Sequence, residues 1–307
     1  MRVTQSMLSS NMLRNLNTSY GKMGKLQEQL YSGKKVNRPS DDPVIAIKGM
    51  SYRTELDRTE QYKRNIGEAN TWLDATDDAL GQVGDILNRV KELVVQAAND
   101  TNTEDDRDKM KQEIDQIRNH LKDLANTQTG SKYIFSGTHT DMPLYVDGAP
   151  NPDVGLTVVG ANSSIEIDVF EAVRININMP GQQLFQDIDS LMGDIADALE
   201  TGSVNNNGTY IGGLLGDLAS GSNGTLANVQ NVVLEKRADV GARQNRVELM
   251  EQRLDLHKVT TTKQMSMNED TEFAGTITEL VTQESIHQAA LSVGARIIQQ
   301  TLVDFMR

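Results

Sequence analysis

Any chemistry here would have to start from four histidines, His120, His139, His257 and His287, in a chain of 307 residues without cysteine. No two of them share a metal-ligand spacing. His139 with Asp141 makes an HxD pair, a weak signal by itself. Three acidic pairs, Asp41–Asp42, Asp77–Asp78 and Asp105–Asp106, could suggest paired carboxylates. Adjacent residues on a helix point about 100° apart, so these read as caps and solvated faces. The run GGLLG at 212–216 lacks the lysine and hydroxyl that a loop needs to hold phosphate and magnesium. No catalytic residue, metal site or cofactor is expected, and the chain reads as a non-enzyme whose function lies in its surfaces.

The elements that would carry such surfaces are long. Ile66, Leu73, Leu80, Leu87 and Val94 recur every seven residues, and so do Leu226, Val233, Val240, Val247 and Leu254. Two heptad helices far apart in one chain are natural partners, so these ten side chains are expected to form the core of a helical rod. Prolines occur only at 39, 43, 143, 150, 152 and 180. The two proline-free stretches are free to run as long helices, and one from Pro43 to about Ala98 would be on the order of 80 Å long. Aromatic residues are 4% of the chain, ordinary for a helical bundle and thin for a compact enzyme.

Between the helical halves the period changes. Ile165, Ile167 and Val169 alternate with Glu166 and Asp168, and Val173, Ile175 and Ile177 alternate with Arg174 and Asn176. Period two with polar partners indicates half-buried strands. A small outward-facing β domain is expected over 138–184, one that both helical halves can close without. Local signals punctuate the rest. Gly33 is placed to end a first helix, Asp42–Pro43 to begin the second, and Thr103 with Asp106 to cap a third. The long C-terminal heptad helix is expected to run from about Leu226 to Thr261, with a softer stretch before the last helix opens near Phe273.

Charge excludes some partners and suggests others. The net charge is −13, which argues against nucleic acid. No apolar run approaches the ~18 residues of a membrane helix, and the start MRVTQSMLSSNML lacks the apolar core of a secretory signal. Residues 1–38 carry a balance of +6 and residues 264–307 a balance of −4. Opposite signs at the two ends suggest that the termini associate. Both ends also carry apolar stripes: Leu13, Leu16, Tyr20, Met23 and Leu30, and Leu280, Ile286, Val293, Ile297 and Leu302. Either these pair with each other or they are buried between subunits.

Three motifs then carry a resemblance. LYSGKKVNRPSDDP (30–43) resembles the N-terminal pattern of the flagellin family through Leu30, Ser32, Gly33, Val36, Asn37 and Asp41–Asp42. VGARQNRVE (240–248) resembles its C-terminal helix signature, and NEDTEFAGTITEL (268–280) the opening of its last helix. The form RPSDDP and the ending ARIIQQTLVDFMR are closer to the family's hook-associated junction proteins than to filament subunits. The resemblance implies an extracellular structural component of the bacterial flagellum, a junction ring that adapts hook to filament. It implies partners as well: itself, another hook-associated junction protein, flagellin and a type III export chaperone. Export without a cleaved signal follows from it, as do terminal segments that order on assembly. Alternatives are a flagellin filament subunit and a cytoplasmic coiled-coil signalling adapter.

The expected fold is mainly α, a long antiparallel coiled-coil rod built from both chain ends with a small β-rich insert. Residues 1–42 and 268–307 would form a terminal assembly coiled coil. Residues 43–137 and 185–267 would form the rod, and 138–184 the β domain. The two terminal stripes are the expected assembly interface. No nucleic-acid binding and no membrane insertion are expected.

Overall fold

The computed structural model describes residues 5–99, 102–154, 163–200, 208–216 and 225–297. Seven α-helices occur among them: α1 (Gln5–Ser32), α2 (Pro43–Ala97), α3 (Glu104–Ala125), α4 (Gln182–Leu199), α5 (Gly208–Leu215), α6 (Leu226–Glu269) and α7 (Phe273–Ile297). Three two-stranded antiparallel hairpins lie between α3 and α4: β1 (Gln128–Thr129) with β2 (Lys132–Tyr133), β3 (Tyr145–Val146) with β4 (Ala149–Pro150), and β5 (Glu166–Phe170) with β6 (Val173–Asn176). The chain divides into a terminal unit, 1–58 with 256–307, and a middle unit, 59–255.

Local chemistry sets the helix ends. Gly33 takes φ +70°, a left-handed conformation that stops α1 without steric cost. Asp42 Oδ1 accepts hydrogen bonds from the N–H groups of Val44 (2.9 Å) and Ile45 (3.1 Å), so it caps α2, with Pro43 as the first helical residue. The Asp106 N–H donates to Thr103 Oγ1 at 3.3 Å, and the Thr103 hydroxyl donates back to Asp106 Oδ2 at 2.7 Å. One difference from expectation concerns α6. It runs on through TTTKQMSMNE to Glu269, a stretch with neither glycine nor proline to stop it.

The middle unit is organised by an unbroken 3–4 alternation. On α2 the buried or half-buried positions run Thr59, Tyr62, Ile66, Ala69, Leu73, Thr76, Leu80, Val83, Leu87, Val90, Val94 and Ala97. On α6, Leu226, Val233, Val240, Val247 and Leu254 are all 2% exposed or less. Polar pairs flank this seam: Gln230 to Asn88 (3.0 Å), Arg237 to Asp77 through two bonds (3.0 and 3.1 Å), and Gln244 to Asp74 (2.8 Å). Their partners descend along α2 as the chain ascends α6, so the two helices are antiparallel here.

The β segment does not stand apart from the helices. Leu144, Tyr145, Val154, Val169, Ile175, Ile177 and Met179 are buried in one core with the α2–α6 seam, α3 and α4. The Phe135 ring meets Phe185 edge-on at 5.0 Å, and the Tyr145 hydroxyl donates to the Phe185 carbonyl at 3.0 Å. Arg243, inside the GARQNR motif, donates to the carbonyls of Asn176 (3.3 Å) and Asn178 (3.1 Å), and Arg253 lies over the Phe170 ring at 4.4 Å. A segment this size buries too little by itself to hold a fold; it borrows the core of α3, α4 and α6. Replacing it with a flexible linker would expose that core rather than leave it closed.

The seam makes a direct prediction. Val240→Asp places an unpaired charge in the core and should cost ~3 kcal/mol or more. Asp239 is half exposed and bonded to Arg243 on its own helix. Asp239→Asn should shift stability by no more than about 1 kcal/mol. Denaturant melts followed through Trp72, the single tryptophan and a buried one, would rank them. The reverse ranking would mean the seam is misplaced.

Candidate assembly interface

The loop after α1 and the turn before α7 meet within the terminal unit. Lys34 and Asp270 form an antiparallel bridge. The Lys35 N–H donates to the Glu269 carbonyl at 2.6 Å, and the Thr271 N–H to the Gly33 carbonyl at 2.9 Å. The Glu269 carboxylate sits against this bridge, 5% exposed as a residue. Its Oε2 accepts from Lys34 Nζ at 2.9 Å and from Arg53 Nη2 at 2.6 Å. Gly49 makes room for it: a Cβ there would lie 1.9 Å from Glu269 Oε1. Burial pushes the Glu269 carboxyl up, but the hydrogen bonds and charges of Lys34 and Arg53 outweigh burial and hold it below the usual carboxylate range. Asn268 donates to the Ile45 carbonyl at 3.0 Å, and the Thr271 and Thr276 hydroxyls share a hydrogen bond of 2.9 Å.

These contacts account for two of the three motifs as one clasp. Asn37 donates to the Glu28 carbonyl at 3.3 Å, and Asp41 accepts from the Arg38 N–H and pairs with Lys25 at 3.2 Å. The acidic pair Asp41–Asp42 is therefore turn and cap chemistry. His257 bridges Glu55 (3.1 Å) and Thr261 (3.2 Å) across the terminal unit's two long-helix segments. Among the described residues no group of three or more metal-capable side chains gathers, and no helix is long and apolar enough to cross a membrane.

From the clasp, α1 and α7 run antiparallel. Gly33 meets Thr271, Tyr20 lies 6.0 Å from His287 ring to ring, and Met12 packs on Gly294. The seam on α1 is Ser9, Met12, Leu16, Ser19, Met23, Leu26 and Leu30, and on α7 Thr276, Leu280, Gln283, His287, Ala290 and Gly294. Its spacing is heptad, but only α1 is rich in large apolar side chains; α7 supplies Leu280 among small and polar ones. Leu26 is the one large apolar side chain of the terminal unit that is buried among the described residues. Ser19 Oγ and His287 Nδ1 are buried without a hydrogen-bond partner among the described residues, a cost the pair bears.

The terminal stripes read from sequence divide. Leu16, Met23, Leu30 and Leu280 lie on the seam, half-buried. Leu13, Tyr20, Ile286 and Val293 are exposed, each by about half or more. Ile297 ends α7 with its side chain outside the described residues, and Leu302 lies outside them altogether. Glu269, Gly49 and the polar half of the seam carried no apolar signal. The 3–4 spacing alone reaches Met12 and Leu26.

The exposed apolar surface is distributed unevenly. Among the described residues, the large exposed apolar side chains of the middle unit are Val95, Met142, Val146, Tyr210, Leu234 and Leu249; all the others fall in the terminal unit, on each of its four helical segments. Val44, Ile47 and Met50 mark α2, and Leu256, Val259 and Met267 mark α6. On α7, Ile286 and Val293 lie on one flank of the seam and Ile277 and Leu291 on the other. A helix pair apolar on both flanks is suited to being surrounded.

A family model of the bacterial flagellin N-terminal helical region matches residues 3–140. The flagellar hook-associated protein 3 of Escherichia coli is 27% identical, over 94% of this chain and 95% of its own length. The chain is similar to the flagellin family over its N-terminal helical part and to a hook-associated protein over nearly its whole length. Among filament proteins, the phase 2 flagellin of Salmonella typhimurium is 32% identical over 67% of this chain but 37% of its own length, and the 30.7 kDa filament core protein of Treponema maltophilum is 24% identical over 88% of this chain and 86% of its own length. The fold agrees with the Bacillus cereus FlgL crystal structure at a TM-score of 0.56 and 20% identity, over 70% of this chain and 99% of that one. The family is structural and flagellar, not enzymatic.

Glu269 gives the terminal unit an acid limit. Its folded pKa lies below the unfolded value, so its stabilisation is complete above the ordinary carboxylate range and is lost as pH falls through the folded value. Circular-dichroism melts between neutral pH and about pH 3 should show the terminal unit's transition dropping on the acid side. Glu269→Gln should melt lower at neutral pH and lose that acid-side slope; an unchanged slope would remove Glu269 from this role.

Proposed function

We propose that the chain is a junction subunit of the bacterial flagellum, one of a ring of copies that adapts hook to filament. The concentration of exposed apolar surface on the terminal unit carries this reading. Burying such rows against neighbours yields ~25 cal/mol per Å² before ordering costs. The middle unit, with its closed core, needs no such partner. Identity to hook-associated protein 3 over 94% of the chain and 95% of that protein supports the junction reading.

The partners on this reading are copies of the chain, the other hook-associated junction protein on one side and flagellin on the other. The reading also has the chain leave the cell through the flagellar type III channel, without a cleaved signal and with an export chaperone. Leu13, Leu16, Tyr20, Met23, Leu30, Leu280, Ile286, Val293, Ile297 and Leu302 are proposed as its assembly side chains. The filament-subunit alternative parts from it on one result: a filament subunit polymerises without end when purified, and a junction subunit does not.

Ile286→Asp with Val293→Asp tests the assembly surface. Both side chains are exposed in the single chain, so the melting temperature should stay within a few degrees of wild type. Incorporation should fail, because each carboxylate buried between subunits without a partner costs several kcal/mol. Cells should release flagellin into the medium and grow no filaments. Normal filament counts would show that this surface does not face a neighbour.

A further inference from the structure

The α1–α7 seam is poor at setting its own register. On α7 the seam is small and polar, with Leu280 as its one large apolar side chain beside Thr276, Gln283, His287, Ala290 and Gly294, so the methionines and leucines of α1 find few apolar layers that would penalise a slip of one heptad. Coiled coils usually settle register by large apolar layers or by a buried polar pair, and here the one buried large apolar residue is Leu26. The clasp is different in kind. Its backbone bridge admits one alignment of 33–35 with 269–271. The Glu269 carboxylate locks that alignment by bonding Lys34 from the α1 side and Arg53 from α2, in a notch that exists because Gly49 has no side chain.

We propose that Glu269, held by Lys34 and Arg53 over Gly49, is a positioning residue that fixes the register of α1 against α7 before assembly. It thereby decides which apolar rows face neighbouring copies. The inference rests on the assembly role given above for the terminal unit. Met12 on Gly294 marks the same register at the far end, where a Cβ on residue 294 would lie 1.4 Å from Met12 Cε. With both ends set, Ile286 and Val293 fall on one flank of the pair and Ile277 and Leu291 on the other.

The absence of cysteine makes a disulfide test free of background. The full-length chain would carry Tyr20→Cys with His287→Cys to report the native register. A second form, with Gln27→Cys and His287→Cys, would report a slip of one heptad. Both would be oxidised as free protein, alone and combined with Glu269→Gln or Gly49→Ala. Trp72 fluorescence melts would confirm that the middle unit is unchanged. The native-register disulfide should dominate in the parent chain. With Glu269→Gln, and with Gly49→Ala, its yield should fall several-fold and the slipped disulfide should rise. Equal native yields with and without Glu269 would overturn the proposal, as would a parent chain that forms neither disulfide. Because the free chain is measured, failure here is separate from failure of the assembly role, which filament counts report.

Discussion

The antiparallel seam between residues 59–97 and 226–255 is the interaction on which the middle unit depends. Its seven-residue beat buries Ile66, Leu73, Leu80, Leu87 and Val94 against Leu226, Val233, Val240, Val247 and Leu254. Flanking pairs such as Arg237 with Asp77 fix which helix face meets which. With that face set, α3 and α4 can close on the other side of α2, joined by Arg118 and Asp189 through bonds of 2.6 and 3.0 Å. The β hairpins then find a surface already apolar enough to cover. Their own contribution is to complete this core, with Arg243 and Arg253 reaching across from α6 to hold them.

The terminal unit obeys the same geometry with a different composition. Its α1–α7 seam keeps heptad spacing but sets the methionines and leucines of α1 against threonine, glutamine, histidine, alanine and glycine on α7, while Leu13, Tyr20, Ile286 and Val293 turn outward. Such a pair gains little from its own seam and has much to gain from neighbours. The clasp supplies by hydrogen bonds and charge what the seam does not supply by packing. A carboxylate taken out of water against two cations is a costly way to gain stability but an effective way to specify an arrangement. That division suits a subunit whose middle is finished when folded and whose ends are finished when assembled.

Much of this was legible in the sequence, and the boundary of legibility is physical. Apolar heptads announce buried seams, so the ten core positions of the middle unit could be named from spacing alone. Caps were legible for a similar reason: Asp42–Pro43, Gly33 and Thr103 have local consequences that do not depend on distant chain. The α1–α7 seam was only half legible. Leu13 and Tyr20 read as part of one stripe with Leu16 and Met23, yet they lie off the seam, because serines 9 and 19 fill positions that an apolar template skips. Glu269 and Gly49 were invisible, since a buried carboxylate and the glycine that admits it are more than two hundred residues apart. The insert's place in the core was missed because alternation marks a half-buried strand without saying which core covers it.

Side-chain footprinting is the most direct test that the terminal unit's apolar rows are buried between neighbours. Hydroxyl-radical labelling would be compared on the free chain and on purified hook–filament junctions, reading Tyr20, Tyr31, Met50 and Met267 in the terminal unit and Tyr210 in the middle unit. The account predicts strong labelling of all five in the free chain. It predicts loss of labelling across the terminal four in the junction. Terminal residues labelled as strongly in the junction as in the free chain would contradict it.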